Sequence, residues 1–308
     1  MARESLDQLE ARCQKPDYRT VGNWMARRVT RPLALRVTWL VLPWGISPHL
    51  ATLAAWAMGV AAAATFGQGS PAAWLLGAGL LQLWYLLDHV DGQLARHRGV
   101  DSLDGAQLDY LMHHTVNLLL PVGLGWGLAW RRLEPLWLLA GLAMGLALLL
   151  LGLRHDARYK AFVKRWKRVR GRLLVEGGGG GRPGPTPPVP RRPLALAAWC
   201  ARKACETHVV MNLLTLLAFV QWIGGDEHLV AGRAYLAVMA PLATALALVV
   251  ILRDVGRGAA EREFADWHRP EDDCVLTYQG GWWRVEPIEQ AGDGSDSTPE
   301  TSRASRPS

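Results

Sequence analysis

The feature that most constrains this chain is a series of apolar blocks, each about 17 to 25 residues long, whose interiors carry almost no charge. A helix of that length crosses a hydrocarbon layer ~30 Å thick. Six such spans are expected: Leu50 to Phe66, Ala72 to Leu87, Leu108 to Trp130, Pro135 to Leu153, His208 to Ile223 and Ala234 to Leu252. The expected fold is therefore an all-α, polytopic membrane protein. An even number of spans puts both termini on one side, and charge identifies that side. With the N-terminus in the cytosol, only Arg131, Arg132 and Arg233 of the 34 Lys and Arg fall outside, as the positive-inside bias requires.

Composition narrows the alternatives. Half of the 308 residues are apolar, which excludes intrinsic disorder, a disulfide scaffold and a single soluble globule. In a chain with membrane spans the net charge of +7 marks the face that meets anionic lipid, and no nucleic-acid partner is expected. Cys13, Cys200, Cys205 and Cys274 have no C-x-x-C spacing and read as unpaired cytosolic thiols. The segment Met1 to Ala34 is too polar for a secretory signal, having Arg3, Glu4, Asp7 and Glu10 where an apolar core should follow, so the spans themselves are expected to direct insertion.

The chain is expected to divide into a cytosolic N-terminus (1–48), a six-helix membrane domain (49–257) and a cytosolic tail (258–308). Trp24 to Trp44 mixes Arg27, Arg28, Arg31 and Arg36 with Trp24, Leu33, Leu35 and Trp39, the pattern of an amphipathic helix lying in the membrane interface. Pro43, Gly45 and Pro48 end it. Between spans four and five, residues 154–205 form a basic, then Gly- and Pro-rich, cytosolic loop. Its five glycines, Gly177 to Gly181, lack the following Lys-Ser/Thr of a phosphate loop and read as a linker. In the tail, VLTYQ-GG-WWRVE predicts a hairpin within 274–286, and the remainder from Glu289 reads as disordered.

One segment, Tyr85 to Asn117, breaks the membrane rules by placing carboxylates and histidines at the cytosolic ends of spans two and three. Ionisable groups there are costly and mark a functional site by default. Asp88 and Asp91, three residues apart, share one helix face, and Gly105, Asp109 and His113 form a second stripe. If the two helix ends pack together, Asp88, Asp91, Asp109 and His113 converge. Oxygen ligands around an open position suit Mg²⁺ or Mn²⁺, and two such ions can hold a diphosphate through an in-line displacement. Gly92 and Ala95 leave room for a ligand against the backbone, and Arg96 offers phosphate a planar fork.

This segment resembles the signature of the CDP-alcohol phosphotransferase (phosphatidyltransferase) family, D-x-x-D-G-x-x-A-R-x8-G-x3-D-x3-D. Asp88, Asp91, Gly92, Ala95, Arg96, Gly105 and Asp109 match it at full spacing. The stretch from Arg31 to Leu53 also resembles the family's interfacial helix and first span, whereas the basic loop and the tail fall outside. The resemblance implies that the aspartates hold divalent metal on the diphosphate of a CDP-linked donor. It further implies that the small residues seat the cytidine, that a hydroxyl acceptor displaces CMP, and that one substrate is a lipid. A homodimer is expected from the resemblance alone; the expected location is the cell (inner) membrane, with the site facing the cytosol as the charge asymmetry requires.

The departure is at the fourth aspartate, to which the family assigns metal binding and deprotonation of the acceptor; here it is His113. Three consequences stay open. His113 is the base or a ligand, since an imidazole with an unperturbed pKa near 6.5 suits proton abstraction; another group is the base; or the site does not catalyse. His114 points about 100° away. His89 should turn from the aspartates for the same reason. Ser102 or Asp104 reads as a helix cap, and Asp101 as part of the connection. Arg31, Arg36, Arg154 and Arg158 serve either an acceptor phosphate or positive-inside flanking, and Trp44, Trp56, Trp74 and Trp84 read as belt or packing residues. The leading expectation is a membrane transferase of this type. The alternative is a silent relative that binds nucleotide or lipid or scaffolds other proteins.

Overall fold

The computed structural model describes residues 4–15, 18–20, 22–100, 102–130, 133–175, 189–270, 273–279 and 281–288. The chain divides into two compact units, residues 1–154 with 183–252, and residues 155–182 with 253–308. The sequence reading did not draw this division, having assigned the basic loop to the membrane domain.

The helices are α1 (Leu6–Cys13), α2 (Arg31–Val41), α3 (Pro48–Phe66), α4 (Pro71–His97), α5 (Leu103–Ala129), α6 (Pro135–Trp166), α7 (Pro193–Ala204), α8 (Thr207–Ile223), α9 (Val230–Gly256) and α10 (Ala259–Trp267). Each expected span falls on one of them, α3 to α6, α8 and α9, the third running one residue past the end of α5. Their starts follow from local chemistry. Ser47 and Ser70 accept the Leu50 and Ala73 amides at 3.1 and 3.3 Å, with Pro48 and Pro71 following in the first turn. Ser102 caps α5 by accepting the Gly105 amide at 3.3 Å. Each such cap is worth about 1 kcal/mol.

Taken by length and apolarity, α3, α6 and α9 are long enough to cross a membrane, and α7 with α8 makes up to four candidates as a pair bent by 73°. Helices α4 and α5 have 27 residues each, which at 1.5 Å per residue is about 40 Å. Their apolar character is diluted by Gln82, Asp88, His89 and Asp91 on one and by Asp109, His113, His114 and Asn117 on the other. The same polar residues that carry the motif therefore weaken the signal of a span.

In the first unit α3 packs along both α4 and α5, and α8 lies against α4. Phe66, Trp74, Leu81, Trp84, Met112 and Leu124 fill the centre, with the Phe66 and Trp74 rings edge to face at 5.3 Å. Away from the motif the helices meet backbone to backbone. A Cβ on Gly125 would stand 3.0 Å from the Gly141 Cα and strike the Trp137 carbonyl, and one on Gly123 would strike the Ala63 carbonyl. At that end Glu134 accepts from Arg233 at 2.7 Å and from the Trp137 indole at 2.6 Å, so an arginine expected outside is paired.

Two local outcomes differ from expectation. The amphipathic stretch Trp24–Trp44 is helical throughout but not uniformly α: Ala26–Thr30 is a π-helical turn, α2 follows, and Leu42–Trp44 tightens to a 3₁₀ turn before Gly45 at φ 67°. The loop 154–205 contains α7, started by Pro193 at its first position. Gly177 to Gly181 and the tail beyond Glu289 lie outside the described residues.

In the second unit the end of α6 and α10 share an aromatic cluster of Tyr159, Phe162, Phe264 and Trp267. Arg158 pairs with Asp254 at 2.7 Å and with Glu263. The predicted hairpin is present as β4 (Cys274–Gln279) and β5 (Trp282–Pro287), paired antiparallel from Cys274↔Pro287 to Gln279↔Trp282 after β1 (Val169–Arg170), β2 (Leu174–Val175) and β3 (His268–Arg269). Strand β1 adds in parallel to β5, and β2 pairs with β3. The all-α expectation is thus corrected in this unit. These two pairings join segments far apart in the chain, Val169 with Trp283 and Leu174 with Arg269, which no local period reveals.

Candidate active site

The motif folds as two facing helix ends. On α5, Asp109 and His113 are one turn apart and project from the same side. Across from them Asp88 projects from α4. His113 Nε2 lies 2.9 Å from Asp88 Oδ1 and 3.4 Å from Asp109 Oδ1. One ligand atom from each of the three falls within 4.8 Å of the others, a spacing that can hold a metal ion. The Asp109 side chain is 40% exposed and that of Asp88 15%, so the cluster opens toward solvent on the Asp109 side. Trp84 closes its inner wall, with the indole edge to face against the imidazole at 5.6 Å.

Asp91 stands outside this group. Its carboxylate is buried and Oδ2 accepts from the Thr52 hydroxyl of α3 at 2.7 Å. The expected convergence of four side chains is therefore a convergence of three, with the fourth held by a neighbouring helix. Gly92 does leave space, but the Arg96 guanidinium fills it: a Cβ on Gly92 would meet the terminal nitrogens at 3.2 and 3.6 Å. Ala95 is half-buried on the same helix. Gly105 lies where α5 passes α3, and a Cβ there would stand 3.2 Å from His49 Nε2.

His114 turns toward α6, where its ring would lie 2.9 Å from a Cβ on Gly152, in keeping with the helical phase. His89 departs from expectation. Its Nδ1 is 2.9 Å from the Tyr85 carbonyl and 3.6 Å from Asp88 Oδ2, because a long side chain one position on still reaches back over its neighbour. Asp104 sits exposed in the first turn of α5, and Asp101 lies outside the described residues. Arg31 donates to the Tyr18 carbonyl at 2.7 Å.

Three residues near the cluster were missed: Thr52, His49 and Lys15. An ionisable residue at the start of a span was a usable signal for His49. Lys15 had none. Burial lowers its ammonium from the ordinary lysine value, with Arg96 and Arg31 adding to the shift, while Asp109 and Asp88 oppose it.

Carboxylates and an imidazole gathered at the ends of two neighbouring helices are a set of side chains that could hold a divalent metal ion. Residues 45–175, which contain the whole motif, match the sequence model of the family described as CDP-alcohol phosphatidyltransferase. That segment is a domain of this family, and the chain is a transferase of that type. Among solved structures it is similar to Mycobacterium tuberculosis phosphatidylinositol phosphate synthase in complex with manganese and citrate, at 22% identity and a TM-score of 0.45, covering 73% of this chain and 89% of that one. The same synthase with CDP-DAG bound matches at 21% identity and a TM-score of 0.38, covering 64% and 92%. No curated protein matches the chain in sequence.

Proposed function

We propose that the chain transfers a phosphorylated alcohol from a CDP-alcohol to a hydroxyl acceptor with release of CMP, in phospholipid or related phosphodiester synthesis. The observation that carries this reading is the meeting of Asp88, Asp109 and His113 within 4.8 Å inside the family-matched segment. The carboxylates of Asp88 and Asp109 suit Mg²⁺ or Mn²⁺, which leaves the imidazole between them free to act on a proton. When bound, the ions neutralise the donor's diphosphate and the charge that develops on its oxygens.

The chain's own residues do the rest. Arg96, whose guanidinium occupies the space over Gly92, takes diphosphate oxygens in its fork. The acceptor oxygen forms a bond to the phosphorus next to the alcohol as the bond to the CMP oxygen breaks, and CMP leaves with that electron pair. The proton from the acceptor hydroxyl goes to His113 Nε2, which Asp88 and Asp109 flank and whose positive charge they then stabilise.

In this reading α3, α4, α5, α6, α8 and α9 all span the cell membrane, both termini are cytosolic, and the site faces the cytosol. One substrate is a lipid, and a homodimer is the working assembly. The test is release of CMP from a panel of CDP-alcohols and acceptors by the reconstituted chain with Mg²⁺ or Mn²⁺. Asp109→Asn should lower the rate by about 100-fold or more. A chain that releases no CMP across the panel is a silent relative in which His113 and its two carboxylates form a closed ion pair.

A further inference from the structure

Helix α1 lies upstream of the family-matched segment, yet it is built onto the motif helix. Helix α1 is closed at its start by a reciprocal cap, Ser5 amide to Gln8 Oε1 at 3.0 Å and Gln8 amide to Ser5 Oγ at 3.3 Å. Leu9 and Cys13 are fully buried against Leu35, with Trp39 and Leu42 beside them. Glu4 fastens the start of the helix to α4 and α2. Its carboxylate meets His97 Nε2 at 2.9 Å and Arg12 at 2.5 Å, and its carbonyl accepts from the Trp39 indole at 2.8 Å.

The other end of α1 is fastened by Arg96, whose Nε donates to the Cys13 carbonyl. That bond uses the one guanidinium N–H that does not belong to the terminal fork. The two terminal nitrogens then stand over Gly92, one turn before Arg96 on the motif helix. A free arginine samples many rotamers, whereas this one is fixed in plane and direction before any ligand arrives.

We propose that α1 is a positioning element of the donor site: the Cys13 carbonyl and the Glu4–His97 contact hold the Arg96 fork over Gly92, aimed at the diphosphate of a CDP-linked donor. This rests on the reading of the function given above. Detaching α1 weakens nucleotide binding and leaves the metal-holding side chains in place.

The full chain in lipid nanodiscs, titrated with CDP in the presence of Mn²⁺, provides the test. Leu9→Asp, which drives α1 off Leu35, is expected to weaken CDP binding about tenfold or more, and Leu9→Met restores it. Arg96→Lys keeps the charge but loses the fork and is expected to weaken binding similarly. The double variant Leu9→Asp/Arg96→Lys should be no weaker than Arg96→Lys alone, because both act through one side chain. If Leu9→Asp unfolds the chain, Glu4→Gln with His97→Gln loosens the same attachment and takes its place. Wild-type affinity in the α1-detached variant, with Arg96→Lys still weakened, overturns this inference and leaves the proposed function standing. A wild-type chain that binds no CDP with Mn²⁺ overturns both.

Discussion

His113 of α5 reaches across the helix boundary to Asp88 of α4, Nε2 to Oδ1 at 2.9 Å, so the one residue that departs from the family signature is also the one that joins its two halves. An aspartate at the same place would add a third negative charge to the pair. An imidazole instead supplies a donor or an acceptor according to its protonation, and lowers the charge that a metal must balance.

Replacing His113 should therefore separate its roles. His113→Ala is expected to lower CMP release by about 10² to 10⁴-fold, the usual worth of a positioned base. His113→Asp restores the family pattern and should keep activity or raise it. The check is the rate of each variant with Mg²⁺ and with Mn²⁺; equal rates for His113→Ala and the unmodified chain would remove the imidazole from the chemistry.

The attachment of α1 should weaken in acid. Glu4 titrates below its ordinary value of 4.5, chiefly through the hydrogen bond from His97, with Arg12 adding attraction. A carboxyl with a depressed folded pKa stabilises the folded form fully above its unfolded value, and that contribution is lost as pH falls through the lower folded value. Hydrogen exchange of residues 6–13 is the measurement. Protection should exceed that of Glu4→Gln at pH 7, and the difference should vanish well below pH 4.5. A difference that persists there would mean the carboxylate is not the fastening group.

Packing at the far end predicts a stability effect without a chemical one. Gly125→Ala pushes a methyl into the Trp137 carbonyl and the Gly141 backbone, where neither neighbour is a flexible side chain. The expected cost is about 1 to 3 kcal/mol, read as a lower melting temperature in detergent. CDP affinity of the folded fraction should be unchanged, and unchanged melting would show that the helices separate there at no cost.

Orientation can be read with cysteine labels. Cys200 is exposed on α7, and Glu227 is exposed between α8 and α9. An impermeant maleimide added to intact cells should label Glu227→Cys at once and Cys200 only after lysis. The reverse order would invert the proposed topology.

Much of the membrane unit was legible because its signals are local. Ser-Pro at 47–48 and 70–71 marks where α3 and α4 begin, and the four-residue spacing of Asp109 and His113 fixes them on one side of α5. What stayed hidden depends on partners far along the chain. Asp88 and Asp91 lie only about 60° apart around α4, and the bond that holds Asp91 comes from Thr52, 39 residues earlier. Helix α1 was invisible for the same reason: its apolar face is short, and its hold on Arg96 spans 83 residues. The π-helical turn at Ala26–Thr30 interrupts a pattern that composition presents as continuous.

The glycine contacts between α5 and its neighbours leave no slack at the end of the bundle remote from the motif. In the proposed reaction, an opening that admits the CDP-linked donor and lets CMP out comes from the motif end, as the jaws of a pair of tongs part while their rivet stays put.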